Sequence, residues 1–339
     1  MIRRTGALAA LLSCALMLSS CTGKAQSAPI PTPEGARLQA EEERVKWPKN
    51  KLTRNEAGIP MLDVYVVDEK SVRQMDIETY VQGVLAGEMK NDWPLEALKA
   101  QAILARTFVL KFIEEKDSRY PHADISTDIE EAQAYDASAV NDRIRQAVEE
   151  TRGMVLAQEG ALPYAWFHAH SGGVTELAKE GLGWDEEEPA YTHSVAGNEP
   201  QNAEDMQSLR DAQSWIASFT YEEVEAAMRK LGKEVELSES SSCRIGERGE
   251  SGRAHTLVIA DEEVGAAELR IALGSTKMRS TLLSSLKAEQ GKVTMAGKGY
   301  GHGVGMSQWG AYGMAQEGRK AEEIVRHYFR NITLEKLWG

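Results

Sequence analysis

The chain has 339 residues, 42% of them hydrophobic, and a formal net charge of −13. A chain of this size can bury a sizeable apolar core. No Lys/Arg cluster stands against the acidic background, which disfavours nucleic acid or an anionic membrane surface as a partner held by a long-range field.

Residues 1–20 have the layout of an export signal. Arg3 and Arg4 form a basic start, and Ala7 to Ser20 is apolar to small. That stretch is short of the roughly 20 apolar residues that a membrane span needs. It ends Leu18-Ser19-Ser20-Cys21, the pattern that precedes the lipidated cysteine of bacterial lipoproteins, so Cys21 is the expected lipidation site. Ordinary secretion and an uncleaved N-terminal anchor are the alternatives. All of them put the bulk of the chain outside the cytoplasm, with the extracytoplasmic face of the bacterial cell membrane as the expected location. Cys14 then leaves with the signal, and Cys243 stands alone in the folded part. One cysteine forms no internal disulfide and no two-cysteine zinc site. Residues 21–57 read as a tether, with Pro29, Pro31 and Pro33 followed by Glu41-Glu42-Glu43. The domain proper runs from 58 to 339.

The first strand is expected at Leu62–Val67, rich in β-branched residues. Asp76 can cap the helix that follows. In that helix Ile77, Val81, Val84 and Glu88 recur at i, i+4, i+7 and i+11, and so share one face. A carboxylate in an apolar stripe is disfavoured in its ionised form, and so is one at the carbonyl end of a helix. Glu88 is therefore a candidate general acid. A side chain that swings out past the helix end fits the same spacing.

A second helix follows, with Asp92 as the expected cap and Pro94 in the first turn. Leu98, Ala102, Ala105, Val109 and Phe112 give it four amphipathic turns. The short link places Glu88 at a corner between two helices. Arg143 to Arg152 predicts a third helix ended by Gly153. Met154-Val155-Leu156 and Tyr164-Ala165-Trp166-Phe167 predict a strand pair across a Glu159-Gly160 turn. Residues 196–292 change character and read as an inserted α/β subdomain. It holds a helix opened by Thr220 with Glu223 three residues on, a polar run over 238–252, a strand at Thr256–Ile259 and an apolar stretch over 268–283. The whole is an α+β fold, with mixed helices and short antiparallel strands around one catalytic core.

Gly297, Gly299, Gly301, Gly303 and Gly305 alternate with Lys298, Tyr300, His302 and Val304. In an extended chain this bares one face, which a ligand or another strand can approach. No phosphate-loop pattern fits the segment. After it come Ser307, Gln308, Trp309 and Tyr312, residue types suited to stacking on sugar rings and pairing with their hydroxyls. Earlier in the chain, His168, His170, Ser171, Gly172 and Glu176 form a second polar knot. It reads as a two-histidine metal pair, as a serine nucleophile beside histidines, as the source of a second carboxylate, or as a tight turn with hydrogen-bonding histidines. Too few ligands stand nearby for zinc, and the serine lacks the nucleophile-elbow pattern.

Three blocks together resemble the stage II sporulation protein D family, also called the SpoIID/LytB domain. The first runs from Glu78 through Gly83, Gly87 and Glu88 to Trp93-Pro94 and on to Gln101 and Arg106. The second is Phe167-His168 with Ser171-Gly172-Gly173 and Thr175-Glu176. The third is Gly299 to Ala315. The resemblance covers about residues 60–335. It implies a lytic transglycosylase that cleaves peptidoglycan glycan strands stripped of stem peptides, during septal wall remodelling and engulfment in sporulation. It implies Glu88 as the catalytic acid and base, with no cofactor. It also implies groove residues at Gln101, Arg106, His302, Ser307 and Gln308, and the polar knot and aromatic positions add His168, Ser171, Gly172, Glu176, Tyr300 and Trp309 as expected substrate-binding residues. A cell-wall amidase and other engulfment proteins are the implied partners. Relatives that bind zinc do so through Cys and His; the Ser-Gly-Gly region here has no cysteine, so no metal is expected.

Two other functions remain. One is a non-catalytic wall-binding module that stimulates a partner amidase, and an intact Glu88 in an apolar setting weighs against it. The other is a serine or metal hydrolase built on His168, His170 and Ser171.

Overall fold

The computed structural model describes residue 45, residues 52–204 and residues 206–339. The expected signal, Cys21 and most of the tether lie outside the described residues. The fold is α+β, with several small open sheets around a helical centre. Among the described residues no helix is long and apolar enough to cross a membrane.

Strands β1 (Met61–Val66) and β2 (Ser71–Asp76) pair antiparallel. Leu62 and Val64 turn inward from β1 and are wholly buried, as the two-residue period of a strand requires. The chain enters helix α1 (Ile77–Glu88) through Asp76, whose carboxylate accepts from Thr79 N at 2.9 Å. A cap of this kind is worth about 1 kcal/mol. Ile77, Val81 and Val84 are fully buried, each stabilising the fold by about 1.5–3 kcal/mol.

Helix α2 (Leu95–Glu115) is buried on nearly every side and forms the centre of the domain. Its cap differs from the expectation: Pro94 occupies the position, and no side chain caps the helix. The Pro94 carbonyl accepts from Ala97 N and Leu98 N instead. Strand β3 (Ile125–Ser126) then adds to β1 in parallel, and α3 (Asp142–Glu150) is capped by Asn141.

Strand β4 (Met154–Ala157) does not pair with the Tyr164–Phe167 stretch. The Glu159-Gly160 turn forms and closes with one Gln158–Ala161 bridge. The strands then part, because β4 takes the C-terminal strand Thr333–Lys336 as its antiparallel partner. Strand β5 (Phe167–His168) instead pairs in parallel with Met306–Ser307. The short helix α4 (Ala178–Leu182) follows.

Helix α5 (Met206–Gln213) leads to a second, separate apolar core drawn from residues 215–295. One sheet there has the order β10-β11-β6, from β6 (Ser214–Thr220), β10 (Leu283–Glu289) and β11 (Lys292–Lys298). The other has the order β7-β8-β9, from β7 (Cys243–Ile245), β8 (Thr256–Ile259) and β9 (Glu262–Gly265). Helix α6 (Tyr221–Lys230) packs against α7 (Ala266–Leu273) between them, and opens with the Thr220/Glu223 capping box.

The chain returns to the first core through β12 (Met306–Ser307), α8 (Gln308–Gln316), α9 (Ala321–Tyr328) and β13 (Thr333–Lys336). One buried ion pair ties the two ends of the domain together. Arg106 Nη2 and Nε donate to Glu78 at 2.6 and 3.1 Å, and Glu78 Oε1 also accepts from Gly153 N and Trp338 Nε1.

Candidate active site

Glu88 is the last residue of α1 and is partly buried. Its Oε1 accepts from Ala134 N at 2.7 Å. That donor comes from a strap, residues 133–136, laid across the glycine face of α1. A Cβ on Gly83 would meet the Tyr135 ring at 2.2 Å, and one on Gly87 the Tyr135 amide nitrogen at 2.6 Å. Asp136 N then bonds the Gly83 carbonyl. Two glycines inside a helix each cost about 1 kcal/mol relative to alanine, and here they open the seat that the strap needs.

Burial raises the Glu88 pKa above its ordinary value, while the Ala134 amide and the Gln308 side chain pull it back in part. The net effect favours the neutral acid. Gln308 Nε2 also donates to the Glu88 carbonyl at 3.3 Å, which joins the end of α1 to the start of α8.

Helix α8 carries a second glycine seat. A Cβ on Gly310 would meet the Gly197 carbonyl oxygen at 1.9 Å, and one on Gly313 the Asn198 carbonyl oxygen at 2.3 Å. The strap 197–200 lies in that seat, held by Tyr328 Oη on the Gly197 carbonyl at 2.6 Å. It delivers Glu199, a residue that sequence reasoning missed. Glu199 Oε1 accepts from Ser171 N at 2.6 Å and from Ser307 Oγ at 2.7 Å. Ser307 Oγ in turn caps α8 by accepting from Gly310 N. Glu199 thus links the Ser-Gly-Gly turn to the start of α8, and Gln308 carries the link on to Glu88. Nothing in the local pattern around Asn198-Glu199-Pro200 marks this role, because the partners lie 28 and 108 residues away.

The glycine-alternating segment is not an extended strand beyond Lys298. Gly299, Gly301, Gly303 and Gly305 all adopt positive φ, from +70° to +113°, a region open to glycine at little cost. The same glycines admit close neighbours. A Cβ on Gly301 would strike the His168 side chain, one on Gly303 the Arg253 guanidinium, and one on Gly305 the Trp166 carbonyl. What approaches the bare face is therefore the 166–170 chain and an arginine.

Histidines lock this contact. His168 Nδ1 bonds the Val304 carbonyl at 3.0 Å, so that nitrogen carries the proton. His302 Nδ1 accepts from Val304 N. Burial lowers the pKa of His168 well below the usual value and that of His302 to about 3, with Arg253 adding repulsion. His170 is also lowered by burial, and its Nδ1 accepts from Gly172 N. All three are neutral structural imidazoles.

The remaining expected groove residues divide. Tyr300 is partly exposed beneath the Arg279 guanidinium, 5.3 Å from its ring centre. Ser171 and Gly172 form the turn at Glu199, with Gly172 at φ +78°. Gln101 is fully buried, and both its amide atoms lack a partner among the described residues. Three residues leave the groove. Arg106 has no exposed surface and is spent on Glu78 and the Met154 carbonyl. Trp309 is buried against Trp93 and Tyr312, with centroids 4.5 and 5.3 Å away, so it offers no face to a sugar. Glu176 is buried, and accepts from Ser251 Oγ and Leu177 N. It anchors the 247–255 loop and is no second catalytic carboxylate.

A family model for stage II sporulation protein (SpoIID) matches residues 66–157, and a model described only as a domain of unknown function matches residues 183–305. The chain is 30% identical over 286 residues to stage II sporulation protein D of Bacillus amyloliquefaciens, covering 80% of this chain and 78% of that one. The chain belongs to the stage II sporulation protein D family. It is also 31% identical over 280 residues to an uncharacterized protein of Brachyspira hyodysenteriae, covering 81% of this chain and 70% of that one. It is 29% identical to the amidase enhancer of Bacillus subtilis, covering 75% of this chain and 40% of that one. The SpoIID match contains Glu88 with its glycine seat, the 133–136 strap and the Glu78–Arg106 pair. Glu199 and the glycine-alternating segment fall within the second matched region, and Ser307 and Gln308 lie beyond both.

Proposed function

We propose that this protein is a lytic transglycosylase that cleaves peptidoglycan glycan strands stripped of stem peptides, with Glu88 as its single acid and base. The observation that carries the reading is the setting of Glu88. One oxygen is fixed by Ala134 N, and burial raises its pKa. A carboxyl whose neutral form is favoured by burial can give its proton to the glycosidic oxygen as the bond breaks through an oxocarbenium-like state. The carboxylate then takes the proton from the C6 hydroxyl of the same sugar, whose oxygen closes on the anomeric carbon to form a 1,6-anhydro ring. Proton and bond counts balance, and no water is consumed. A second carboxylate is not required, which suits a site where Glu176 is otherwise engaged.

The setting of this activity is wall processing in sporulation, in line with the names of the stage II relatives. The protein acts at the extracytoplasmic face of the membrane, anchored through lipid on Cys21 or through its N-terminal segment. A second function, support of a partner amidase, draws on the relative named amidase enhancer.

Digestion of stem-peptide-free glycan strands, with products read by mass spectrometry, tests the proposal. The expected result is 1,6-anhydro ends from the wild type and none from Glu88→Ala. Reducing ends would mean hydrolysis. Binding without cleavage by the wild type would favour the amidase-supporting role.

A further inference from the structure

Strand β6 ends the sheet β10-β11-β6, with no strand beyond it among the described residues. Its register against β11 runs unbroken from Ser214 to Thr220. The bonds just outside its two ends fix which residues face which way. Gly299 N donates to the Gln213 carbonyl and Tyr221 N to the Gly291 carbonyl, so the odd-numbered residues bond toward β11. In an antiparallel ladder the residues between them turn their N–H and C=O groups outward. Thr220 N is already taken by Glu223 Oε2 at 2.8 Å. Ser214, Ile216 and Ser218 therefore make up the open edge.

This edge lacks the usual guards. Natural sheets blunt an open strand with Lys, Pro, a bulge or a covering element. Strand β6 reads Ser-Trp-Ile-Ala-Ser-Phe-Thr, with no charge, no proline and no bulge against β11. Ile216 is 77% exposed, the most exposed large hydrophobic side chain among the described residues. The two ends of the strand differ in charge. Arg210 and Arg279 stand with Asp211 at its entry, whereas Glu222 and Glu223 stand with Lys277 at its exit.

We propose that β6 pairs with β6 of a second copy of this chain, antiparallel about a two-fold axis through Ile216. A strand paired antiparallel with its own copy is self-complementary. The pairing also lays the more basic entry of one copy against the more acidic exit of the other. The occupied Thr220 N selects the register, because a pair centred on Ala217 would call on it. Centring on Ile216 uses all three open residues: Ile216 faces its counterpart, and Ser214 faces Ser218 of the second copy. The two isoleucines then cover each other, and the two sheets join into one. A single strand pair lies at the small end of specific interfaces, so the association is reversible and depends on concentration.

Sedimentation velocity of the full chain in non-ionic detergent, over a wide range of concentration, reads the association. A monomer–dimer equilibrium is expected. Ile216→Lys sets like charges at the axis and should weaken the dimer about tenfold or more. Its melting temperature should stay that of the parent, because the side chain it replaces is exposed. Disulfide trapping under mild oxidation reads the register, with the parent and its three native cysteines as the control. Ile216→Cys should link to itself, and Ser218→Cys should link only when mixed with Ser214→Cys. A parent that stays monomeric at every concentration overturns the pairing, as does a dimer that Ile216→Lys leaves intact. Ready self-linking of Ser218→Cys alone overturns the register.

Discussion

Ala134 N reaches Glu88 Oε1 at 2.7 Å only because Gly83 and Gly87 carry no side chains. The acid is thus tuned by a loop 46 residues away in sequence, seated on the glycine face of its own helix.

Gly87→Ala should break that arrangement. Its Cβ would run into the Tyr135 amide nitrogen at 2.6 Å and the Ala134 carbonyl carbon at 2.7 Å, backbone atoms that cannot rotate aside. The strap must lift and withdraw the Ala134 amide. That bond lowers the Glu88 pKa, so its loss should raise the pKa further. The alkaline limb of the pH–rate profile should move to higher pH, with activity reduced about tenfold or more through misplacement of the acid. A profile that keeps its limb would show that the strap does not tune Glu88.

Removing the acid itself should cost activity and add stability. Glu88→Gln should lower glycan cleavage by about 10²-fold or more. The folded-state pKa is raised, so the wild type loses stability as pH rises from the ordinary carboxylate range through the elevated value. The glutamine variant has no such loss. Its melting temperature should match the wild type in acid and exceed it increasingly toward neutral pH, as read by thermal denaturation across pH.

Arg106 should behave as a structural residue. Arg106→Met leaves Glu78 buried and uncompensated, a change that costs about 3–5 kcal/mol for pairs of this kind. Pairing it with Glu78→Leu should restore only part, because Gly153 N and Trp338 Nε1 then lose their acceptor. Denaturant titration of the single and double variants checks both statements.

The neutral histidines predict acid sensitivity. The folded-state pKa values of His168, His170 and His302 are depressed by burial. The stability they lend is complete above their ordinary value of 6.5 and is lost as pH falls toward the depressed ones. Melting temperature should drop between pH 7 and pH 5, and imidazole nitrogen shifts in NMR should show none of the three titrating near pH 6.5.

Local signals proved the most legible in the sequence. Asp76 before an apolar stripe, and Thr220 with Glu223, depend on neighbours within one helical turn and are found as expected. Pairings set at a distance were not legible. Strand β4 has the composition of half a hairpin, but its partner β13 is almost 180 residues on, and no local feature competes with that burial. Arg106 looks like a groove cation until Glu78 is seen beside it in the core. The glycine alternation marked a place of close approach, yet its backbone turns left-handed at four positions instead of running extended. Glu199 needed both straps in place before it could be noticed.

The bond from Trp338 Nε1 to Glu78 spans 260 residues and ends on the first turn of the helix that carries Glu88. Contacts so far apart in sequence form late, after the loop between them has closed. A chain that emerges N-terminus first presents Glu88 early, but the strut behind that helix stays open until Trp338 has been made. A product truncated before Trp338 therefore lacks the indole that closes the strut behind the helix.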